Sequence, residues 1–358
     1  SIVIETGTVA LTNEKLLRRY SIDILGVLPS VEDYEDLASG LDSESGRRAL
    51  VQDWMNDPRF EQRLVYLLGE RWHTRIDEFL VFYLEYPPLS SDSRNEYPFE
   101  RAVGEEPLRL MANIIANNRP WTEVVTADYT FANELLAQIW PINYPGGTGW
   151  KRSTYTDDRP YAGVLSTNGL WWRYYSTLSN YNRARVAAIT RLLICEDYTT
   201  RTISFSEENG VDSVEDVEDI ENALRNNPYC MGCHSAIDPI AAALFGFWPA
   251  NEFQIDELHN YHADREALGG DLLGVEPAWF GDPVSNLREL GRHIALDRRF
   301  SECAVESFAS LLWRRPVTSS DLNQLEVLHD QFEADFLATQ SLLTEIFLTQ
   351  SYVAGNLE

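Results

Sequence analysis

Lysine is almost missing from this chain. Lys15 and Lys151 are its two lysines, and lysine and arginine together number 29 against 56 acidic residues, a formal net charge of -27. Such a surface repels phosphate backbones and anionic lipid headgroups alike. It excludes nucleic acid as a partner and leaves cationic surfaces, small molecules or redox proteins; high external salt would suit it. Long apolar runs are missing too. The longest, around Ala241 to Trp248, falls far short of the ~18 residues that a membrane-crossing helix needs, so no transmembrane segment is expected. Ser1-Ile2-Val3-Ile4 has no basic n-region and no initiating methionine, so a secretory signal is expected either to have been removed or never to have been present. Four cysteines, three methionines and six histidines keep the set of candidate soft metal ligands short. In 358 residues, 44% hydrophobic content with 12% aromatic is ample for two or three packed units.

Helix signals dominate. Thr12 and Asn13 predict a helix through Leu16, Leu17, Tyr20 and Ile24 that stops near Gly26 and Pro29. Ser30 and Asp33 stand at capping-box spacing ahead of Tyr34 and Leu37. Ser43 opens a helix through Leu50, Trp54 and Met55 that ends before Pro58. From Phe60, apolar residues at Leu64, Leu67, Leu68, Trp72, Ile76 and Phe79 predict one long amphipathic helix. Further helices are expected over Phe99 to Asn118, Leu165 to Leu178, Ala184 to Ile194, Val214 to Leu224, Asn286 to Leu296, Phe300 to Trp313, Asp321 to Phe336 and Leu337 to Tyr352. Strand alternation stands out only at Ile2 to Leu11, and no repeat is visible. The expected fold class is all-α, a multi-helix protein in four modules: 1–95, 96–200 with a long loop or linker at 140–160, 201–284 with the chemistry-bearing segment, and 285–358. The acidic clusters Glu32 to Asp36 and Asp212 to Glu221 lack calcium-loop spacing and read as solvated faces.

The segment Cys230-Met231-Gly232-Cys233-His234 has the C-x-x-C-H spacing of covalent haem c attachment. Two thiols so placed can add to two vinyl groups of a porphyrin, and the next residue sets its imidazole under the iron. His234 is then the proximal ligand. Asn227-Pro228 before the motif and Pro239 after it predict a helix junction there. A zinc reading uses Cys230, Cys233, His259 and His262 as C-x2-C-x25-H-x2-H. The histidine pair is closer than the usual zinc spacing, and zinc gives no reason for His234 to follow the second cysteine.

Around these residues the chain resembles the secreted, planctomycete-type cytochrome-c-associated helical modules of unknown function. Cys230 to His234 followed by Ile237-Asp238-Pro239, Leu244 and Phe247 is similar to the family's C-x2-C-H-x2-(M)-D-P-x-G-x-x-L-E-x-F segment. Leu17 to Pro29, Trp54 to Arg63, Arg119 to Glu123 with Thr126 to Leu136, Phe300 to Pro316 and Leu343 to Tyr352 resemble other stretches of it, with gaps around 85–100 and 140–160. Ile237 stands where the family often has methionine, Ala241 where it has glycine, and Phe245 and Trp248 where acidic residues are common. A more apolar haem shell raises the reduction potential. The resemblance implies one covalent haem c and a periplasmic or extracellular location, but no reaction.

The sixth iron ligand decides between carrier and catalyst. His259 and His262 are the first candidates for it. Met231 lies within the attachment segment, Met55 and Met111 read as core, and His73, His293 and His329 as ordinary surface or core histidines. Cys195 and Cys303 form the remaining even pair, and a disulfide between them would close a loop of about 108 residues. Among Trp171, Trp172, Tyr174 and Tyr175, one or two should be exposed or touch the cofactor. The reading that results is an exported monohaem c-type cytochrome in electron transfer. Its alternatives are a haem enzyme of peroxidase or oxygenase type with an open distal side, and a self-assembling surface subunit whose Ile2 to Leu11 stretch adds to a neighbour's sheet edge.

Overall fold

The computed structural model describes residues 8–75, 86–198, 224, 226–249 and 260–356. Ile2 to Gly7, Ile76, Phe79, His259, the acidic run Asp212 to Glu221 and, apart from Leu224, the expected helix Val214 to Leu224 lie outside them. The described residues are mostly helical, and the fold is all-α. No described helix is long and apolar enough to cross a membrane. Contacts gather the chain into two units of interleaved stretches: residues 1–73, 108–124 and 301–358 in the first, 74–107 and 125–300 in the second.

In the first unit the caps act as the sequence predicts. Thr12 accepts from the Lys15 N–H at the start of the Asn13–Tyr20 helix, and Ser30 and Asp33 complete a reciprocal capping box. Ser43 caps Glu44–Met55. Asp57 caps Pro58–Trp72, with the proline in the first turn where its missing N–H costs nothing. The first helix continues through a π-helical turn, Ser21–Leu25, and stops at Gly26 with φ 73°, a conformation open to glycine without strain. The extra residue in that turn directs Asp23 inward. Its Oδ2 accepts from the Tyr352 hydroxyl at 2.9 Å, and Oδ1 pairs with Arg314. Arg19 donates to the carbonyls of Leu312, Tyr352 and Ala354.

Two expectations change here. The helix expected over Leu337 to Tyr352 breaks at Thr349 into Thr339–Leu348 and Gln350–Val353, because the Thr349 hydroxyl accepts from the Tyr352 N–H and the Trp313 indole and so acts as a new N-cap. The described part of the Ile2 to Leu11 stretch, Thr8–Ala10, pairs antiparallel with Ala354–Asn356 of the same chain. In this two-stranded sheet one edge of Thr8–Ala10 is paired within the chain.

The second unit contains what was expected to be the 140–160 loop, and here the structure corrects the sequence reading. Ile142–Asn143 and Lys151–Tyr155 are strands, joined by Thr130–Ala132 in a three-stranded antiparallel sheet with Lys151–Tyr155 in the middle. Trp140 and Tyr155 lie in a buried cluster with Tyr86, Phe99, Leu136 and Trp172, flanked by Ile142, Tyr144 and Trp150. Prolines and glycines at the turns hide this sheet from periodicity, since each strand is too short to show alternation.

The Glu96–Ala116 helix carries Pro107, whose missing N–H leaves the Val103 carbonyl without its usual donor. Gly169 approaches that carbonyl so closely that a Cβ there would collide with it. Its N–H donates to Glu106 Oε2 at 2.9 Å, while the Tyr155 and Thr130 hydroxyls donate to Oε1 at 2.6 and 2.8 Å. Glu106 is fully buried, so these three donors have no water to turn to. Glu106→Ala is expected to lower the unfolding free energy by about 3–5 kcal/mol, the cost of orphaning several buried donors. Chemical denaturation followed by tryptophan fluorescence measures it, and a loss below about 1 kcal/mol would show the network to be incidental.

Candidate functional site

The C-x-x-C-H segment lies in the first half of a helix, Pro228–Ala242, in the second unit. Pro228 is its first residue, and the Asn227 carbonyl accepts from the Met231 N–H at 2.9 Å. Positions 230, 233 and 234 fall three and four apart and so share one face of the helix. Cys230 and Cys233 are partly exposed thiols, neither in a disulfide. The His234 side chain keeps 23% of its accessibility, and Met231 points to solvent at 42%.

The helix does not break at Pro239, as the sequence led one to expect; it runs through it to Ala242. Pro239 has no N–H for the Ser235 carbonyl. The turn is held instead by packing, since Ile240, Ala241 and Ala242 are all buried, as are Leu244, Phe245 and Phe247 just beyond. This continuity places Asp238 one helical turn below His234. The Nδ1 of His234 lies 3.0 Å from Asp238 Oδ1.

Arg183 completes the arrangement. Its Nε donates to Asp238 Oδ1 at 2.8 Å and an Nη to Oδ2 at 3.0 Å, a two-pronged pair. Asp238 is 7% exposed. Burial alone would raise its pKa, but the hydrogen bonds from His234 and Arg183, with the charge of Arg183, outweigh it and hold the carboxyl below the ordinary aspartate value. An ionised carboxylate only accepts, so His234 Nδ1 is the donor, which in a neutral ring leaves the lone pair on Nε2.

Arg183 is the first residue of the Arg183–Leu193 helix, and two residues in the left-handed region deliver it: Tyr181 at φ 52° and Asn182 at φ 65°. The Tyr181 ring stacks on Trp248 and Phe245, with centroids 6.2 and 6.5 Å away. The Arg183 guanidinium lies 5.7 Å from the Tyr181 centroid, within cation–π range. Arg185, two residues further along, is fully buried. It donates to the carbonyls of Tyr174 and Phe247 and to Asn182 Oδ1 at 2.7 to 3.0 Å. Burial pulls its pKa down to about 9.

Of the other candidates, His262 is partly buried, and its backbone N–H donates to the Gly246 carbonyl at 2.7 Å. Met55 and Met111 are buried and belong to the first unit. His73 closes the Pro58–Trp72 helix in a left-handed cap. His293 sits in the last turn of Leu287–Leu296. His329 is a core histidine. It is 3% exposed, with Nε2 2.8 Å from Ser301 Oγ. Asp330 and Glu333 bring carboxylates near it, and the three are the one His/Cys/Asp/Glu group with metal-ligand spacing among the described residues. Trp171 and Trp172 are buried and Tyr175 is 64% exposed; the helix expected over Leu165 to Leu178 is only Asn168–Arg173, so Tyr174 and Tyr175 lie beyond its end.

Beyond the Pro228–Ala242 helix, Gly269 of Leu268–Leu273 packs against the Ala242 carbonyl. That helix and the residues on either side of it line an open cleft of about 690 Å³ bearing Glu266, Asp271 and Glu276.

No family model matches the chain, and no curated protein or solved structure is significantly similar to it. The site therefore rests on its own residues. Sequence reasoning found Cys230, Cys233 and His234 but assigned no role to Asp238 or Arg183. The H-x3-D spacing signals Asp238 once the helix is known to pass Pro239, whereas nothing in the sequence ties Arg183 to it.

Proposed function

We propose that the chain is a c-type haem protein acting in electron transfer, with one covalent haem c on Cys230 and Cys233 and His234 as proximal ligand. One observation carries the reading: two thiols and an imidazole share a helix face, and the hydrogen bond to Asp238 leaves Nε2 as the ring's donor atom. Metal-ligating histidines are oriented in this way by a carboxylate on the other nitrogen. Cys230 and Cys233 would hold the porphyrin as thioethers, and His234 would bind its iron. When bound, the haem supplies a one-electron couple. The rest is done by the chain: Asp238 fixes the ring's tautomer and rotation, Arg183 fixes Asp238, and the buried run Ile240 to Phe247 anchors the helix. The zinc reading on Cys230, Cys233, His259 and His262 leaves the His234–Asp238 pair without a role.

The strongly acidic surface, with Glu266, Asp271 and Glu276 in the cleft beyond the attachment helix, suits a basic redox partner. Export to the periplasm or cell exterior belongs to the same proposal, as does a disulfide between Cys195 and Cys303, the pair that remains after attachment. Intact mass under denaturing conditions tests the reading. Natively produced protein should carry one porphyrin, and a non-reduced digest should join the peptides of Cys195 and Cys303. A bare polypeptide mass, or zinc in place of iron, would overturn the haem.

The Asp238 carboxylate also favours a second reading, a haem enzyme. A carboxylate hydrogen bond makes the proximal imidazole a stronger electron donor, which aids oxygen chemistry where the distal side is open. Spectra of the reduced protein with and without carbon monoxide separate the two. An unchanged spectrum supports the carrier, with His262 or His259 as sixth ligand, and rapid carbon monoxide binding supports the enzyme.

A further inference from the structure

We infer that Asp238 and Arg183 form a charge-compensated pair behind His234 that sets the redox equilibrium of the iron, Asp238 favouring the ferric state and Arg183 restraining it. The inference rests on the haem reading and adds two positioning residues to it.

Three features of the geometry support it. Asp238 stands one turn from His234 on the same helix and takes its Nδ1 hydrogen at 3.0 Å, so its charge acts on the iron through the ligand ring. Its Oδ1 also accepts from Arg183 Nε at 2.8 Å, and the same guanidinium closes on Oδ2 at 3.0 Å. The carboxylate's charge is thus shared between a ligand and a counter-ion. Finally, Asp238 is 7% exposed, so water screens the pair weakly and each charge is felt further than on an open surface. The Tyr181–Phe245–Trp248 stack beside it extends the low-dielectric wall.

The signs follow from electrostatics. The ferric centre carries one more positive charge than the ferrous, so a nearby anion stabilises it and a nearby cation does the reverse. Asp238→Asn removes the anion and leaves Arg183 unbalanced, which favours ferrous iron. Arg183→Gln leaves Asp238 uncompensated, which favours ferric iron. A purely structural role predicts something else: loosening the helix by either change would let water reach the haem, and both potentials would move the same way.

The test is the reduction potential of the haem-loaded full chain by spectroelectrochemistry, with covalent haem first confirmed by mass in each variant. Asp238→Asn should shift the ferrous-to-ferric ratio at least tenfold toward ferrous, a rise of about 59 mV for one electron. Arg183→Gln should shift it comparably toward ferric, and Arg183→Lys, which keeps the charge, should stay closer to the parent than Arg183→Gln. Shifts of equal sign in Asp238→Asn and Arg183→Gln, or both below twofold, overturn the inference while leaving the haem reading intact. Should Asp238→Asn fail to accumulate folded, the two Arg183 variants decide: equal potentials in Gln and Lys refute the pair. A parent protein without haem refutes the underlying reading, and the mass measurement shows this before any potential is read.

Discussion

Replacing Cys230 and Cys233 together by serine is expected to give a folded protein of bare polypeptide mass, with every trace of haem lost on denaturation. Serine keeps the size of cysteine but forms no thioether. Both positions are partly exposed on the opening turns of the Pro228–Ala242 helix, so the fold should lose no more than about 0.5 kcal/mol. Far-ultraviolet circular dichroism and the thermal midpoint should stay near those of the parent. Each single serine variant should retain haem through its remaining sulfur. His234→Ala separates attachment from ligation: the two thioethers survive, so the haem mass remains, but the iron loses its proximal imidazole, and the reduced spectrum should change and respond readily to carbon monoxide. Covalent haem persisting in the double serine variant would mean that the attachment site lies elsewhere, and a normal spectrum in His234→Ala would mean that another residue is the ligand.

What the sequence could and could not reveal follows from how local each signal is. Caps are local: Thr12, Ser30 and Ser43 are followed within three residues by the N–H groups they satisfy, so most helix starts are legible. The C-x-x-C-H spacing is local as well. The strands at 142–143 and 151–155 are too short for alternation and owe their place to Trp140 and Tyr155 entering a cluster with Tyr86, Phe99 and Trp172 from distant stretches, which no window along the chain contains. Pro239 misled in a specific way. Proline argues for a boundary, yet the buried side chains around it keep the helix whole, and the assumed break hid the His234–Asp238 spacing. Arg183 was beyond reach for a different reason. Its partner is far away in sequence, and its position depends on two left-handed residues, Tyr181 and Asn182. Only asparagine of that pair tolerates the conformation well.

That left-handed pair needs an anchor, and Arg185 supplies it, which leads to the second large effect. Its guanidinium is fully buried, lies 5.3 Å from the Trp171 ring centroid and donates to the Tyr174 and Phe247 carbonyls and to Asn182 Oδ1. It thereby ties the start of the Arg183–Leu193 helix to the turn that follows the Pro228–Ala242 helix. Truncation to alanine should cost about 3–5 kcal/mol, the sum of a cavity and of buried acceptors left without donors. Arg185→Met should cost roughly 2 kcal/mol less, because methionine fills most of the volume and removes a buried cation whose desolvation opposes folding. The order matters more than either number. Equal losses would assign the whole effect to the lost hydrogen bonds, whereas a harmless Arg185→Ala would mean that Tyr181, Asn182 and Arg183 hold their conformation unaided. Urea denaturation of both variants beside the parent gives the order directly. The same samples, loaded with haem, report whether a slackened Arg183 moves the potential toward the value expected for Arg183→Gln.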